Sequence, residues 1–132
     1  MTEEWRDIPG YDGYYQVSNQ GNVRSVDRYI VDGGRTRLYR GKDIKQFLDH
    51  KGYKGVTLSK QGVLKRIVVH RLVAAAFIPN PHNLPEINHK DEQKCNNCVT
   101  NLEWCTTQYN TSYGTRAARM VATKRAKRAS AS

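Results

Sequence analysis

The chain has 132 residues, with 22 Lys and Arg against 12 Asp and Glu, a formal net charge of +10 at pH 7. That length favours one compact domain with appendages, and an apolar share of 38% implies a thin core. No apolar run nears the ~20 residues of a membrane span, the opening MTEEWRD holds no apolar signal segment, and three cysteines suit a reducing, cytoplasmic compartment better than a disulfide scaffold.

Along the chain, Pro9-Gly10 and Asp12-Gly13 are turn chemistry. Tyr15 and Val17 alternate with polar neighbours, Asn19-Gln20-Gly21 supplies a turn, and Val23 resumes the alternation, which predicts a short β-hairpin. Residues 27–51 are charged and weakly patterned and predict a loop holding no more than one strand. A second hairpin is expected from Tyr53–Leu58 and Val63–Val69 around Ser59-Lys60-Gln61-Gly62. From Val69 the period changes to that of a helix, with Leu72, Val73, Ala76 and Phe77 on one stripe and Pro79 and Pro81 beyond its end. Glu86–His89 and Leu102–Cys105 then read as strands, Thr107 onward as a helix, and the last eighteen residues as a basic, Ala-rich tail.

Charge is unevenly distributed. Residues 1–19 carry −3, residues 20–75 carry +9, residues 76–103 carry −2 and residues 104–132 carry +6. Basic blocks favour a polyanion, because each neutralised phosphate releases counterion. The mildly acidic, Asn-rich centre is better suited to a hard divalent cation, which takes oxygen ligands.

Within that centre, Ile87-Asn88-His89-Lys90-Asp91 is followed by Asn101-Leu102-Glu103-Trp104 and then by Asn110. A neutral imidazole, with an ordinary pKa near ~6.5, accepts a proton from water at physiological pH. Amide oxygens such as those of Asn88 and Asn110 can ligate Mg²⁺ or Mn²⁺. One metal beside one general base suffices for phosphodiester hydrolysis.

Three separated blocks carry a family resemblance. The first is W-x-x-I-P-G-Y-x-G-x-Y-x-V-S-x-x-G-x-V-R-S at Trp5–Ser25, the second V-H-R-L-V-A-A-A-F-I-P-N-P at Val69–Pro81, and the third runs from Asn88 to Asn110. Together they make residues 5–112 resemble HNH nucleases of the ββα-metal fold, in the phage and intron homing-endonuclease branch. The first block is similar to the small DNA-binding module that precedes such nucleases.

The resemblance implies an α+β chain: small antiparallel β-hairpins, a ββα-metal core and a basic C-terminal helix or tail. It divides the chain into a DNA-binding region at 1–66, a nuclease core at 67–114 and a tail at 115–132. It implies a metal-dependent DNA endonuclease in which His89 is the general base and Asn101 ties the loop, with Asn88 and Asn110 as ligands of one Mg²⁺ or Mn²⁺. Asn88 stands where the best-described relatives carry Asp, so the protein ligand set is all amide, and Asp91 or Glu92 is a candidate to lend it charge. That departure also raises the alternative of a non-catalytic DNA-binding protein with a decayed site.

The expected partner is double-stranded DNA, bound by a monomer or homodimer in a bacterial host cytoplasm. Its phosphates would meet Arg24, Arg28, Lys54, Lys60, Lys65 and Arg66, with Arg116, Arg119, Lys124 and Arg125 from the tail. Cys95-x-x-Cys98 and Cys105 fall one ligand short of a usual structural zinc site, and buried thiols are the expectation. His70 is expected to satisfy backbone groups at a strand–helix junction, and Tyr11, Tyr14, Tyr15, Trp5 and Trp104 to pack.

Overall fold

Tight turns divide the first 25 residues into a three-stranded antiparallel sheet of β1 (Trp5–Asp7), β2 (Tyr15–Ser18) and β3 (Val23–Ser25). The computed structural model describes residues 2–114. The β2–β3 hairpin is the one expected, with Val17 opposite Val23 and the turn closed by Gly21 at a φ of 84°. β1 is additional to that expectation, and it pairs with β2 from Trp5↔Ser18 to Asp7↔Gln16.

The expected loop at 27–51 is corrected by the structure. β4 (Arg28–Asp32) and β5 (Arg35–Tyr39) form a five-pair hairpin. Its turn is Gly33-Gly34, with φ values of 57° and 79°, the doubly left-handed backbone that a two-residue hairpin turn favours. Residues 31–40 are all exposed. With neither face buried there is no apolar alternation to read, which is why the pattern is silent there. β6 (Phe47–Leu48) then joins the next sheet.

That sheet has the order β6-β7-β8, with β7 (Lys54–Lys60) central and β8 (Val63–Val68) at the edge. Val56 and Leu58 of β7 are fully buried. Helix α1 (Val69–Phe77) starts on the residue after β8, so the chain turns from strand to helix without a linker. It buries Val69, Leu72, Val73 and Ala74 and stops at Ile78, which is extended at φ −113° and ψ 115° as a residue preceding proline favours.

The final unit is β9 (Glu86–His89), a 3₁₀ turn at Val99–Asn101, β10 (Leu102–Cys105) and α2 (Thr107–Ser112). The Thr106 hydroxyl caps α2 by accepting from the Tyr109 N–H at 3.1 Å. α1 packs against β1, β2, β7, β9 and β10. One apolar cluster therefore runs from Ile8, Val17 and Val23 through Val56, Leu58 and Val73 to Ile87 and Leu102, crossing the expected division at residues 66 and 67. Trp104 joins it and donates its indole N–H to Ile78 O at 3.0 Å. The tail, residues 115–132, lies outside the described residues.

The N-terminal turn touches the loop between β9 and β10. Val99 N–H donates to Asn19 O at 2.8 Å, and a Cβ added at Gly21 would lie 2.8 Å from Asn97 Cβ. Gly21→Ala therefore meets both a left-handed backbone and a close contact. It should cost about 1–3 kcal/mol in urea unfolding at an unchanged m-value; a midpoint equal to wild type would show that this contact relaxes.

Candidate active site

Antiparallel pairing of β9 and β10 sets Asn88 opposite Glu103 and His89 opposite Leu102. Side chains alternate along a strand, so His89 and Asn88 leave β9 on opposite faces. α2 packs against β9. Asn88 is fully buried, and its amide Nδ2 donates to Glu103 Oε1 at 2.9 Å. Its Oδ1 is buried with no hydrogen-bond partner.

His89 is 1% exposed. Its Nε2 lies 2.9 Å from Asn97 Oδ1. Its ring stacks on Tyr53 with centroids 5.9 Å apart and meets His70 edge-on at 5.0 Å. Tyr53 and His70 are themselves 5.1 Å apart, so two rings pack against the imidazole and against each other.

Asn101 closes the loop that follows. Its Oδ1 accepts the Asp91 N–H at 3.0 Å, and its Nδ2 donates to Asp91 Oδ1 and to Asn96 O, both at 2.9 Å. Its carbonyl accepts the Lys90 N–H at 2.8 Å. Asp91 completes the arrangement by accepting from Gln93 N–H at 2.8 Å and from the Asn96 amide at 2.7 Å. The Asn96 hydrogen bond foremost, then that of Gln93, holds the exposed Asp91 carboxyl below the ordinary carboxylate range. Asp91 is thus occupied by its own loop, and the carboxylate that meets Asn88 is Glu103. The expectation named Asp91 or Glu92 for that charge, and Glu92 sits in the same turn as Asp91 at a φ of 62°.

His70 opens α1 and is buried. Its Nδ1 has no hydrogen-bond partner, so the expected bond to backbone is not made there, and the ring packs on Tyr53 and His89 instead. Desolvation by burial, followed by the neighbouring His89 and Arg71, pushes its pKa down to about 4. Asn88 Oδ1, Asn97 Nδ2 and His70 Nδ1 are the buried side-chain polar atoms without partners among the described residues. All three belong to the His89 cluster or to the residue beside it.

The remaining expected residues are spread over the surface. Asn110 lies in α2 and is half-buried. Arg24 is engaged by the protein itself, with Nε and Nη2 donating to Gln16 Oε1 at 3.0 and 2.8 Å and its guanidinium 4.0 Å above the Trp5 ring. Lys60 donates to Gly10 O at 2.9 Å. Arg28 sits 4.4 Å over Tyr14, and Lys54 is half-buried on β7. Lys65 and Arg66 are exposed on β8. Arg116, Arg119, Lys124 and Arg125 lie outside the described residues.

The cysteines do not share one environment. Cys105 is buried as expected, but Cys98 is half-buried and Cys95 is exposed, its Sγ 3.6 Å from Gly52 O, because both lie in the turns after β9 rather than on its core face. Tyr15 packs as expected, edge-on to Tyr11 at 5.8 Å, with its hydroxyl accepting from Ser59 N–H at 3.0 Å.

Three features went unread in the sequence. Glu103 and Asn97 reach the site only through strand register and loop closure, which no local period reports. The β4–β5 hairpin carries exposed Arg35 and Arg37 beside exposed Tyr29 and Tyr39, and the Asp32-Gly33-Gly34 turn was its signal.

Residues 3–59 match the NUMOD4 motif. DNA endonuclease I-HmuI of Bacillus phage SP01 is 40% identical over 107 residues, covering 81% of this chain and 55% of that protein. H-N-H endonuclease F-TflII of Escherichia phage T5 is 32% identical over 108 residues, covering 80% of this chain and 49% of that protein. The solved structure for DNA binding and cleavage by the HNH homing endonuclease I-HmuI matches with a TM-score of 0.65 and 36% identity, over 91% of this chain and 66% of that one. Over the matched length the chain is similar in sequence and fold to HNH homing endonucleases. As in that solved relative, the HNH fold here is α+β, built from small antiparallel sheets and few helices. The chain spans about half the length of the curated relatives named here. No helix among the described residues is long and apolar enough to cross a membrane.

Burial of His70 gives a pH prediction. Unfolded, the ring takes up a proton near pH ~6.5; folded, it does so only near 4. Between those values the unfolded state binds more protons, so stability falls on acidification, by at most about 1.4 kcal/mol per pH unit from this group. Urea unfolding at pH 7.0, 5.5 and 4.5 should show a smaller loss in His70→Gln than in wild type. Equal losses would show that His70 does not carry the effect.

Proposed function

We propose that this chain is a metal-dependent DNA endonuclease that hydrolyses phosphodiester bonds. One observation carries the reading: β9 ends in a buried imidazole fixed through Nε2 by Asn97 at 2.9 Å, and the residue before it, Asn88, keeps a buried amide oxygen that has no protein partner. A buried acceptor left without a donor costs about 1–3 kcal/mol, and an ion is among the physical explanations for such an atom. The hard oxygen of Asn88 fits a divalent cation, and Asn110, on the helix packed against β9, is the second proposed ligand. Mg²⁺ or Mn²⁺ held there would supply Lewis-acid stabilisation of the phosphoryl charge and the departing oxygen.

The chain's own residues account for the rest. Asn97 Oδ1 accepts the ring proton of Nε2, which leaves the basic lone pair of His89 on Nδ1. That nitrogen takes a proton from the attacking water as the water oxygen bonds to phosphorus and the P–O bond to the departing oxygen breaks. Asn101 keeps the Asp91–Asn96 turn closed, so that His89, which ends β9, and Asn97 beyond the turn hold their positions.

The DNA surface of this reading includes Arg28, Lys54, Lys65 and Arg66, with Arg35, Arg37 and Arg40 of the β4–β5 hairpin and its flank. Arg24 and Lys60 are already engaged by Gln16, Trp5 and Gly10, so they contribute positive field more than direct phosphate contact. In the proposed division of labour, residues 1–66 hold the duplex, 67–114 cut it, and the 115–132 tail with Arg116 and Arg119 adds phosphate contacts. The names of the relatives, DNA endonuclease and H-N-H endonuclease, support this assignment. I-HmuI is a phage protein, which supports action within an infected bacterial host. Monomer and homodimer both accommodate one site per chain.

The alternative is a non-catalytic DNA-binding protein with a decayed site, and the 1% exposure of His89 favours it. Supercoiled plasmid incubated with excess chain and Mg²⁺ or Mn²⁺ separates the two. Wild type should give nicked or linear product that EDTA abolishes, and His89→Ala should be slower by about 10²–10⁴. DNA binding without scission in either ion would select the alternative, and a variant as fast as wild type would remove His89 as base.

A further inference from the structure

The HNH ligand set read here is all amide, which leaves a divalent cation without formal negative charge from Asn88 or Asn110. Across the strand pair from Asn88 stands Glu103, in register on β10. Its Oε1 accepts the Asn88 Nδ2 hydrogen bond at 2.9 Å. An asparagine amide has two faces of opposite character, a donor NH₂ and an acceptor oxygen. A carboxylate can only accept, so it selects the NH₂ group and turns the oxygen away from itself. That oxygen is the fully buried Asn88 Oδ1 that meets no donor.

We propose that Glu103 is the positioning residue of the cation site: its carboxylate orients the Asn88 amide so that Oδ1 faces the cation, and it supplies the negative charge that Asn88 lacks. A charge-assisted hydrogen bond on Nδ2 also polarises the amide toward its oxygen, which strengthens that oxygen as a ligand. Glu103 therefore replaces in two steps what a single carboxylate at position 88 would do directly. Glu103 also bonds Tyr109 of α2, so it links the strand bearing Asn88 to the helix bearing Asn110. The proposal rests on the reading of Asn88 as a cation ligand.

Mn²⁺ binding by the full chain, titrated without DNA and followed through the EPR signal of the aquo ion, tests it, with melting in EDTA as the control for folding. Glu103→Ala should weaken Mn²⁺ binding about 10–100-fold and, since the buried Asn88 Nδ2 loses its acceptor, melt somewhat lower in EDTA while remaining folded. Glu103→Gln keeps an acceptor for Nδ2 and removes the charge, so its affinity should fall between the two. Asn88→Asp should bind Mn²⁺ more tightly than wild type and melt lower in EDTA, because two carboxylates then face each other across the strand pair.

Wild-type affinity in a folded Glu103→Ala, with binding lost in Asn88→Ala, would overturn the role of Glu103 and leave the cation site standing. Wild-type affinity in Asn88→Ala, or no Mn²⁺ binding by the wild-type chain, would overturn both. If Glu103→Ala does not remain folded in EDTA, Glu103→Gln decides: unchanged Mn²⁺ affinity there overturns the proposal.

Discussion

The Asn101 side chain holds the candidate site together. One amide accepts from Asp91 N–H and donates to both Asp91 Oδ1 and Asn96 O, while its own carbonyl takes the Lys90 N–H. These bonds close a loop whose two ends are already paired as strands, His89 opposite Leu102. Asn97, which fixes the His89 ring, is carried on that same loop. An exposed loop of Asn, Asp and Lys has little apolar area to bury, so hydrogen bonds are what remain to give it one shape.

Support for that loop comes from the N-terminal sheet as well as from the core. Asn19 O receives Val99 N–H, Gly21 lies against Asn97, and Lys94 Nζ donates to Lys51 O at 2.7 Å. A thin apolar cluster shared by both halves makes these contacts possible, because α1 sits between the N-terminal sheet and β9–β10. The part of the chain assigned to holding DNA thereby also positions the part assigned to cutting it.

Buried polar atoms are costly unless partnered, and here the unpartnered ones gather around two adjacent residues of β9. On the His89 side of β9 the local polarity is low, as the depressed His70 indicates, and on the Asn88 side a carboxylate stands one hydrogen bond from the amide. Elsewhere the surface is organised differently. The β4–β5 hairpin exposes both arginines and tyrosines, a pairing suited to a polyanion whose backbone is charged and whose bases present apolar faces.

Sequence alone determined the elements whose faces are buried: the β2–β3 and β7–β8 hairpins, the α1 stripe through Leu72 and Val73, and β9 and β10 by the spacing of Asn88, His89 and Asn101. Burial of one face imposes a period of two or 3.6, and such a period survives in the residue order. The β4–β5 strands left no apolar period because neither of their faces is buried, and only the Asp32-Gly33-Gly34 turn marked them. The partners within the site were illegible for another reason. Glu103 reaches Asn88, and Asn97 reaches His89, through strand register and loop closure. Those are properties of the folded chain, set by how β9 and β10 pair and by what Asn101 ties shut. The sequence by itself therefore determined which residues could do the chemistry, and only the tertiary structure decided which carboxylate stands beside them.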